Sequence, residues 1–258
     1  MRELRLRKLQ ETILRNGSVE VDSIAQELDV SRETIRRDLA ALAGQGLVQR
    51  TRGGATAPGG SLTELDLTVR STEHHAAKAA IARYVATQVV EDGTSIALDT
   101  GTTTVEIARA LRGRKLTVVT PSLPVISELA GTETAVLVIG GLLRGRSLGM
   151  VGPVADQTAR LFHCDQAFIS GPAIHPDLGL MDTDLDGVAV KRALLAQASE
   201  VYAVLDHTKL GRSAFTTVCP LSELTGLITD DGASPASLRD YAERDLQVLT
   251  APVSEGTS

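Results

Sequence analysis

The sequence is poor in the residues that build metal sites, disulfides and stacking surfaces. Its 258 residues include no tryptophan, three phenylalanines, three tyrosines and two cysteines. Cys164 and Cys219 form no Cys-x-x-Cys pair, so neither a zinc site nor a disulfide framework is predicted. No set of histidine, cysteine and carboxylate residues has the spacing of metal ligands, and we expect no bound metal.

The motifs of nucleotide binding and membrane insertion are also missing. Neither Gly-x-x-x-x-Gly-Lys-[Ser/Thr] nor Gly-x-Gly-x-x-Gly occurs, so we expect no nucleotide cofactor. No window approaches about 18 consecutive apolar residues, which argues against a membrane-spanning helix. The amino terminus is charged and lacks the apolar core of a signal peptide, so the expected location is the cytoplasm.

Charge is unevenly distributed along a chain whose formal net charge is -6. Residues 1–56 hold ten lysines and arginines against eight acidic residues, whereas the remainder holds 16 against 24. Between Ser31 and Arg52, five arginines accompany two acidic residues. The acidity therefore belongs to the larger part of the chain, and the small amino-terminal part is locally basic.

The first 45 residues carry the pattern of three short helices. The spacing of apolar residues predicts helices over 4–15 and 21–28, and Ser31 is a good N-cap for a third helix. A short strand or hairpin arm is predicted over 47–55, and residues 53–61 have the composition of a linker. The third helix presents one core-facing stripe at i, i+4 and i+7, formed by Ile35, Leu39 and Leu42.

This order of elements is typical of a winged helix-turn-helix domain, predicted here over residues 1–56 and followed by a linker over 57–72. If the apolar stripe faces the core, the polar residues of the third helix face outward, where they can reach bases and phosphates. A solvated charged face is the alternative interpretation. Because residues 1–56 lack aromatic side chains, duplex DNA is favoured over single strands. The predicted DNA contacts are Ser31, Arg32, Thr34, Arg36, Arg37, Arg50 and Arg52.

From about residue 62, apolar β-branched runs alternate with helical stretches. This alternation predicts a mostly parallel α/β sheet, covered on both faces, in a domain over residues 73–252. The runs that predict strands are 94–99, 115–120, 135–141, 165–170, 200–206, 226–230 and 246–251. The helices are predicted near 73–91, 104–112, 122–130, 154–162, 187–199 and 235–244.

One strand-to-helix junction has the composition of an anion site. The strand ends at Asp99, the chain turns through Gly101, and three threonines (Thr102, Thr103 and Thr104) open a helix. Free backbone N–H groups and hydroxyls at a helix N-terminus suit a phosphate, and glycine lets the backbone approach a ligand closely. A well-capped helix without a ligand is equally compatible with these residues.

Two sets of motifs resemble one family, the DeoR-type bacterial transcriptional regulators. The segment "VSRETIRRDLAALAGQGLVQRTRGGA" resembles the family's amino-terminal signature, with Arg52 where the family often has histidine. The similarity continues through "DTGTT", "TVVTPS", "VIGG", "GLMD", "VKRAL" and "AVLDHTKLG", and covers nearly the whole chain. DeoR-type sensor domains look like ribose-5-phosphate isomerase, which is the fold that the resemblance implies for residues 73–252.

The resemblance also implies an effector site for a phosphorylated sugar. Asp99 would accept sugar hydroxyls, and Asp206 and Lys209 would supply a hydroxyl acceptor and a cation for the phosphate. Lys191 would lie near the pocket mouth, although a solvated lysine is equally compatible. The expected effector-binding residues are Asp99, Gly101, Thr102, Thr103, Thr120, Gly140, Gly141, Asp206 and Lys209.

The function implied by the resemblance is repression of sugar-metabolism genes by a homo-oligomer, a dimer or tetramer, bound to duplex operator DNA. A sugar-phosphate isomerase or deaminase-like enzyme with an amino-terminal helical module is the alternative. Pro172-Ala173 replaces an acidic loop of the isomerase-like enzymes, which argues against that alternative. Residues 145–149 match Gly-x-Ser-x-Gly but lie in an irregular stretch, so no catalytic residue is predicted.

Overall fold

The computed structural model describes residues 5–6, 8–9, 12–13, 18–44, 48–51, 53–56 and 67–253. The chain folds as two compact units, Met1–Leu65 and Asp66–Ser258. The structure corrects the expected linker over 57–72, because Leu67–Thr72 is a helix of the second unit. Residues 57–66 and Arg52 lie outside the described residues.

The first unit has the elements of a winged helix-turn-helix. Residues 5–6, 8–9 and 12–13 are helical, and two helices follow, α1 (Val21–Glu27) and α2 (Arg32–Gly44). Three short strands form an antiparallel sheet in the order β1-β3-β2, and they are β1 (Ser18–Glu20), β2 (Gln49–Arg50) and β3 (Gly54–Thr56). Residues 53–61 were predicted as a linker, but Gly54–Thr56 at its beginning form the strand β3. A Cβ atom on Gly54 would overlap the carbonyl oxygen of Val19, which explains the glycine where β3 meets β1.

The core stripe predicted for the third helix is confirmed. Ile35, Leu39 and Leu42 are at most 3% exposed in α2. The predicted N-cap is also present, because the Ser31 hydroxyl accepts the backbone N–H of Thr34 at 3.2 Å. These contacts fix which face of α2 is left for solvent.

The second unit is built on a seven-stranded parallel sheet in the order β15-β14-β12-β9-β4-β5-β6. Each of the seven strands predicted from the sequence overlaps one of its members. They are β4 (Ser95–Leu98), β5 (Thr117–Thr120), β6 (Ala135–Val138), β9 (Cys164–Ile169), β12 (Ala198–Val204), β14 (Gly226–Asp230) and β15 (Gln247–Ala251).

Helices cover both faces of this sheet and bury two apolar clusters against it. One cluster takes buried residues from α4, α5 and α6, and the other takes them from α7, α8 and α9. The bounds are α3 (Leu67–Thr72), α4 (His75–Tyr84, continued by a π-helical turn over Val85–Val89), α5 (Thr102–Ala110), α6 (Leu123–Leu129), α7 (Pro153–Ala159), α8 (Leu185–Ala196) and α9 (Pro235–Ala242). All six predicted helices are found, whereas α3 was not predicted.

Several short elements escaped prediction. A small antiparallel sheet in the order β10-β11-β13 and a two-stranded ribbon of β7 and β8 lie between the main strands in sequence. Their members are β7 (Leu142–Leu143), β8 (Met150–Val151), β10 (Ala173–His175), β11 (Gly179–Asp182) and β13 (Thr216–Cys219). Two 3-10 turns complete the fold, over His207–Lys209 and Leu221–Glu223.

Within the described ranges, no helix combines the length and apolarity that a bilayer crossing needs. Among those same residues, no cluster of three or more histidine, cysteine or carboxylate side chains is placed to hold a metal ion.

Tyr241 on α9 ties the small antiparallel sheet to the rest of the second unit. Its ring is fully buried, and its hydroxyl donates to the Ile174 carbonyl and accepts the Gly211 N–H, both at 2.8 Å. Tyr241→Phe leaves both groups without this partner, so we expect the free energy of unfolding to fall by about 1–3 kcal/mol. Urea unfolding measures this loss.

Tyr84→Phe is the matched control, since no hydrogen bond joins the Tyr84 hydroxyl to another described residue. Equal stability losses in the two variants would contradict this account of Tyr241.

Candidate functional site

The outer face of α2 carries the predicted DNA-contacting arginines. Arg32, Arg36 and Arg37 are all exposed. The Arg32 guanidinium lies 3.0 Å from the Asp22 carboxylate, and that of Arg37 lies 3.5 Å from Glu33. Arg36 makes no ion pair with any residue that the structure describes, so its five N–H donors are the most available of this face.

A groove runs between α2 and the antiparallel sheet of the first unit. Arg36 and Arg50 both line it, so the structure brings together two predicted DNA contacts that are distant in sequence. Glu20 and Asp22 line the same groove, which is therefore not uniformly basic. Thr34, by contrast, is engaged in capping, because its hydroxyl lies 2.8 Å from that of Ser31.

In the second unit, the candidate effector residues follow the carboxyl ends of the parallel strands. The carboxyl ends of parallel strands lie at the same edge of a sheet, here called the carboxyl edge. Asp99 follows β4, Thr120 ends β5, Ser170 follows β9 and Asp206 follows β12. The order β12-β9-β4-β5 makes these neighbours along the edge.

The 99–104 loop is held by an internal hydrogen-bond network. The Thr104 hydroxyl accepts the Gly101 N–H at 3.1 Å and lies 2.9 Å from the Asp99 carbonyl. The backbone N–H groups of Thr102 and Thr103 have no partner among the described residues. A Cβ atom on Gly101 would lie 2.8 Å from the Ser170 Cβ, so only glycine fits this turn. The loop thus offers free donors at the N-terminus of a nine-residue helix.

A buried charge cluster lies under this loop. The Lys191 ammonium lies 2.9 Å from Asp99 Oδ2 and 2.7 Å from Asp182 Oδ2, and it also donates to the Ser170 carbonyl. The Ser170 N–H donates to Asp99 Oδ2 at 3.0 Å. The other carboxylate oxygen of Asp99, Oδ1, is buried and has no hydrogen-bond partner. Lys191 is 5% exposed, so it is neither solvated nor at a pocket mouth.

The ionisation of the three groups follows from one cation facing two carboxylates. Burial raises the pKa of Asp99 above its ordinary value, and the ion pair with Lys191 offsets part of that rise. Burial alone would lower the pKa of Lys191, but Asp182 and Asp99 outweigh it and raise that pKa. For Asp182, burial acts to raise the pKa, but Lys191 outweighs it and lowers the value. The Lys191 side chain is therefore held as an ammonium ion. It compensates the burial of the Asp182 carboxylate fully and that of the Asp99 carboxylate only in part.

Asp206 and Lys209 lie along the carboxyl edge from Asp99. Asp206 is 1% exposed and caps the 3-10 turn, accepting the Thr208 N–H at 3.1 Å. Burial acts to raise the pKa of Asp206, but Lys209 and the Thr208 hydroxyl outweigh it and lower the value. Two strand spacings, about 10 Å, separate the ends of β12 and β4, a distance that a sugar phosphate can bridge.

The other predicted effector residues have different surroundings. The Thr120 hydroxyl donates to the Leu98 carbonyl at 2.7 Å and accepts the Ser122 N–H at 3.1 Å, so it is satisfied within the protein. Gly140 and Gly141 follow the edge strand β6, four strand spacings or about 19 Å from Asp206 along the sheet. Contact of Gly140 and Gly141 with the same ligand as Asp206 stays a prediction.

The 144–149 loop adjoins the 99–104 loop. A Cβ atom on Gly149 would overlap the Thr100 side chain, so the two loops are in contact. Ser147 is 2% exposed, and its hydroxyl is buried without a hydrogen-bond partner. Arg144 of this loop forms an ion pair with Asp184. No helix begins at Ser147, which agrees with setting aside the hydrolase motif.

Comparison with known proteins identifies both units. A family model described as the DeoR-like helix-turn-helix domain matches residues 5–59, and one described as the DeoR C terminal sensor domain matches residues 73–231. These matches and the structure confirm the predicted fold class, a winged helix-turn-helix followed by a mostly parallel α/β domain.

Curated relatives extend over almost the whole chain. It is 35% identical over 229 residues to the HTH-type transcriptional repressor CsqR of Escherichia coli (strain K12), covering 88% of this chain and 87% of that protein. It is 30% identical over 247 residues to the lactose phosphotransferase system repressor of Staphylococcus aureus (strain N315), covering 93% and 97%.

Among solved structures, ribose 5-phosphate isomerase A of Methanocaldococcus jannaschii is 16% identical with a TM-score of 0.39, and the match covers 54% of each chain. The full-length relatives are regulators, and the protein is a DNA-binding transcriptional regulator rather than an enzyme. The chain therefore belongs to the DeoR family of helix-turn-helix regulators.

Proposed function

We propose that the protein is a homo-oligomeric repressor that binds a two-fold symmetric operator and responds to a phosphorylated sugar at the carboxyl edge. The observation that carries the proposal is the juxtaposition at the 99–104 loop. A buried carboxylate oxygen of Asp99 without a partner belongs to the same loop as the free N–H groups at the start of α5. A ligand with both hydroxyl donors and an anionic group satisfies both kinds of atom.

The name of one relative, a lactose phosphotransferase system repressor, supports control of sugar genes. Sugar hydroxyls would donate to Asp99 Oδ1, and the phosphate would lie between the N–H groups of Thr102 and Thr103 and the Lys209 ammonium. The roles of Asp99 and Lys209 follow the resemblance, and those of Thr102 and Thr103 follow from the free N–H groups at the start of the helix. Because bacterial transcription takes place in the cytoplasm, the proposed repressor acts there.

DNA binding is assigned to α2 and the strands that follow it. Arg36 is placed to fork to a guanine in the major groove, because its guanidinium is exposed and unpaired among described residues. Arg32, Arg37, Ser31 and Thr34 at the start of α2, with Arg50 and Arg52 after it, would contact phosphates.

The oligomer is assigned to the apolar edge at β6. This edge strand presents Leu137 and Val138 to solvent, and Leu142, Leu143 and Val154 are exposed nearby in sequence. Residues 135–143 contain no charge or proline, the usual protection of an edge strand. Antiparallel pairing of β6 with the same strand of a second copy satisfies its open backbone groups and creates the two-fold axis that a symmetric operator requires.

Arg36→Ala tests the DNA assignment. We expect this change to cost about 1–3 kcal/mol of specific binding, or roughly 5- to 150-fold in Kd, because a bidentate contact to a base is lost. Fluorescence anisotropy with a labelled fragment of the gene's own upstream region measures the loss against random duplex.

Arg160→Ala, which removes an exposed arginine in the second unit, is the control. Arg50→Ala should weaken both duplexes alike and lower the slope of log Kd against log salt by about 1. Unchanged affinity in both Arg36→Ala and Arg50→Ala rules out the assigned DNA surface.

Asp99→Asn tests the effector site. At a ligand concentration of about 100 Kd, binding stabilises the wild type by about 2.7 kcal/mol, or roughly 5–10 °C in Tm. We expect the variant to lose most of this rise, because the amide at this position no longer presents two acceptor oxygens to the Lys191 ammonium and the ligand. Thermal-shift assays with ribose 5-phosphate and glucose 6-phosphate, against the unphosphorylated sugars, measure it.

Asp165→Asn is the control, since Asp165 lies at the start of β9, far from the carboxyl edge, where it bonds to Ser95. If Asp99→Asn responds to sugar phosphates as the wild type does, the pocket is misplaced.

Leu142→Arg tests the oligomer interface. Leu142 is 72% exposed, and a guanidinium buried there without a partner disfavours self-association by several kcal/mol. We expect the variant to elute as a smaller species in size-exclusion chromatography with light scattering. Ala236→Arg adds the same charge on α9, next to the opposite edge strand β15, and should keep the wild-type mass. Dissociation by Ala236→Arg alone would move the interface to the other edge.

A further inference from the structure

The helix α3 (Leu67–Thr72) is the first described element after residue 66. Any signal carried along the chain from the second unit to the first must pass through it. With six residues it is much shorter than the roughly 12–15 residues at which an isolated helix becomes marginally stable in water. Its helical state therefore depends on contacts that the rest of the second unit supplies.

The first of these contacts is at its N-terminal end. The Leu67 N–H donates to the Arg146 carbonyl at 3.1 Å. Arg146 belongs to the 144–149 loop, and Gly149 of that loop packs on Thr100 of the 99–104 loop. One end of α3 is therefore joined, through a single loop, to the residues beside Asp99.

The second contact is at its C-terminal end, where Lys78 caps the helix. The Lys78 ammonium donates to the Glu73 carbonyl at 2.6 Å and to the Arg70 carbonyl. These carbonyls carry the partial negative charge of a helix C-terminus, which a cation stabilises. Lys78 is 4% exposed, so solvent does not replace these two bonds when they break.

Lys78 is also electrostatically coupled to the candidate effector residues. Burial lowers the pKa of Lys78, Asp206 opposes that shift, and Lys209 adds to it. The charge of Lys78 is balanced by the carboxylates of Asp206 and Glu73 and opposed by the cations of Lys209 and Arg70, and Asp206 and Lys209 belong to the predicted phosphate end of the site. A phosphate dianion held by Lys209 adds negative charge to this group and stabilises the Lys78 ammonium.

The turn between α3 and α4 contacts the phosphate end of the candidate effector site, at the residue after Asp206. His74 occupies this turn in the left-handed region, with φ of 50°. Its ring meets that of His207 edge to face at a centroid distance of 5.9 Å. His207 follows Asp206 directly, and its Nδ1 lies 2.7 Å from the Asp230 carboxylate. The His207 backbone and ring are both held by Asp230, which makes it a fixed support for the turn.

We propose that α3 is the element that transmits effector binding toward the DNA-binding unit, and that Lys78 is the positioning residue that couples α3 to the effector. The proposal rests on the effector site described under the proposed function. In this scheme a phosphate bound at Lys209 strengthens the hydrogen bonds of Lys78 to the C-terminal end of α3. Contacts of the sugar with the 99–104 loop affect the N-terminal end of α3 through the 144–149 loop. Ligand binding orders α3 and thereby changes the segment that leads to the first unit.

Hydrogen exchange of the full-length protein tests the link without any operator. Asp206→Asn removes the carboxylate that contributes most to balancing Lys78, so we expect amide exchange over residues 67–74 to rise several-fold. Asp165→Asn at the opposite edge of the sheet is the control and should leave it unchanged. Glucose 6-phosphate, ribose 5-phosphate or inorganic phosphate should slow the same amides in the wild type. Unchanged exchange in Asp206→Asn overturns the link.

Lys78→Met separates transmission from folding and from ligand binding. We expect it to keep the operator affinity of the ligand-free wild type and the thermal shift with sugar phosphate, and to lose the 5- to 150-fold change in operator affinity that the ligand causes. Lys78→Arg keeps a cation at the cap and should restore much of the response. Lys115→Met, which removes an exposed lysine before β5, is the control.

The outcomes distinguish this inference from the proposed function. The proposed function is contradicted if the wild type does not bind its operator, or if sugar phosphates do not change its operator affinity. The exchange measurement with Asp206→Asn then decides whether α3 is coupled to the candidate effector site. A normal ligand response in Lys78→Met overturns the role of Lys78. A variant that unfolds is replaced by Lys78→Gln, judged by the same ratio of operator affinities with and without ligand.

Discussion

The ammonium of Lys191 is the interaction on which the carboxyl edge of the sheet depends. It reaches from α8 to Asp182 at the end of β11, to the carbonyl of Ser170 after β9, and to Asp99 after β4. Taking an ion out of water costs several kcal/mol unless partners compensate it, so these elements are held in the one arrangement that supplies the partners. The position of the Asp99 carboxylate is set by this constraint rather than by its own loop.

The same constraint leaves Asp99 with one carboxylate oxygen that can accept a hydrogen bond from a ligand. One cation shared by two carboxylates satisfies Asp99 Oδ2 and leaves Oδ1 without a partner in the protein. A buried acceptor in that state costs about 1–3 kcal/mol, and a hydroxyl group that donates to it recovers this free energy on binding. The free N–H groups of Thr102 and Thr103 add the complementary requirement for an anion. The proposed selectivity for a phosphorylated sugar rests on having unsatisfied donors and an unsatisfied acceptor in one loop.

Sequence patterns predicted the parts of the fold that depend on periodicity. Inner strands of the parallel sheet such as β4, β5 and β14 are apolar runs because both faces of the sheet are covered there, and such runs stand out without structural knowledge. The stripe of Ile35, Leu39 and Leu42 was visible for the same reason. Asp99 and the threonines were found because a strand, a glycine and a helix start are consecutive in the chain.

What the sequence concealed are contacts between residues that only the fold brings together. Lys191 was predicted near a pocket mouth or in solvent, although its neighbours Val188, Val190 and Leu194 are buried and indicate that this position of α8 faces the core. Its partner Asp182 ends β11, a strand of four residues in a small sheet that has no strong pattern. Likewise α3 is too short for a periodic signal, and it was assigned to a linker. Short elements are stabilised by tertiary contacts, and local sequence carries little information about those contacts.

The weakness of α3 as an isolated helix is what makes it suitable as a transmitting element. A long helix with its own apolar stripe would stay formed whatever the ligand did, and no ligand shifts an equilibrium between states that it does not distinguish. The six residues are held at Leu67 by the Arg146 carbonyl and at the other end by the Lys78 ammonium, and in our proposal ligand binding changes how firmly both ends are held. Changing the charge around Lys78 by one phosphate is a perturbation of the size that allosteric coupling needs, about 1–3 kcal/mol. Coupling of this kind requires no rearrangement of the seven-stranded sheet, because the element that changes is the one nearest the DNA-binding unit in the chain.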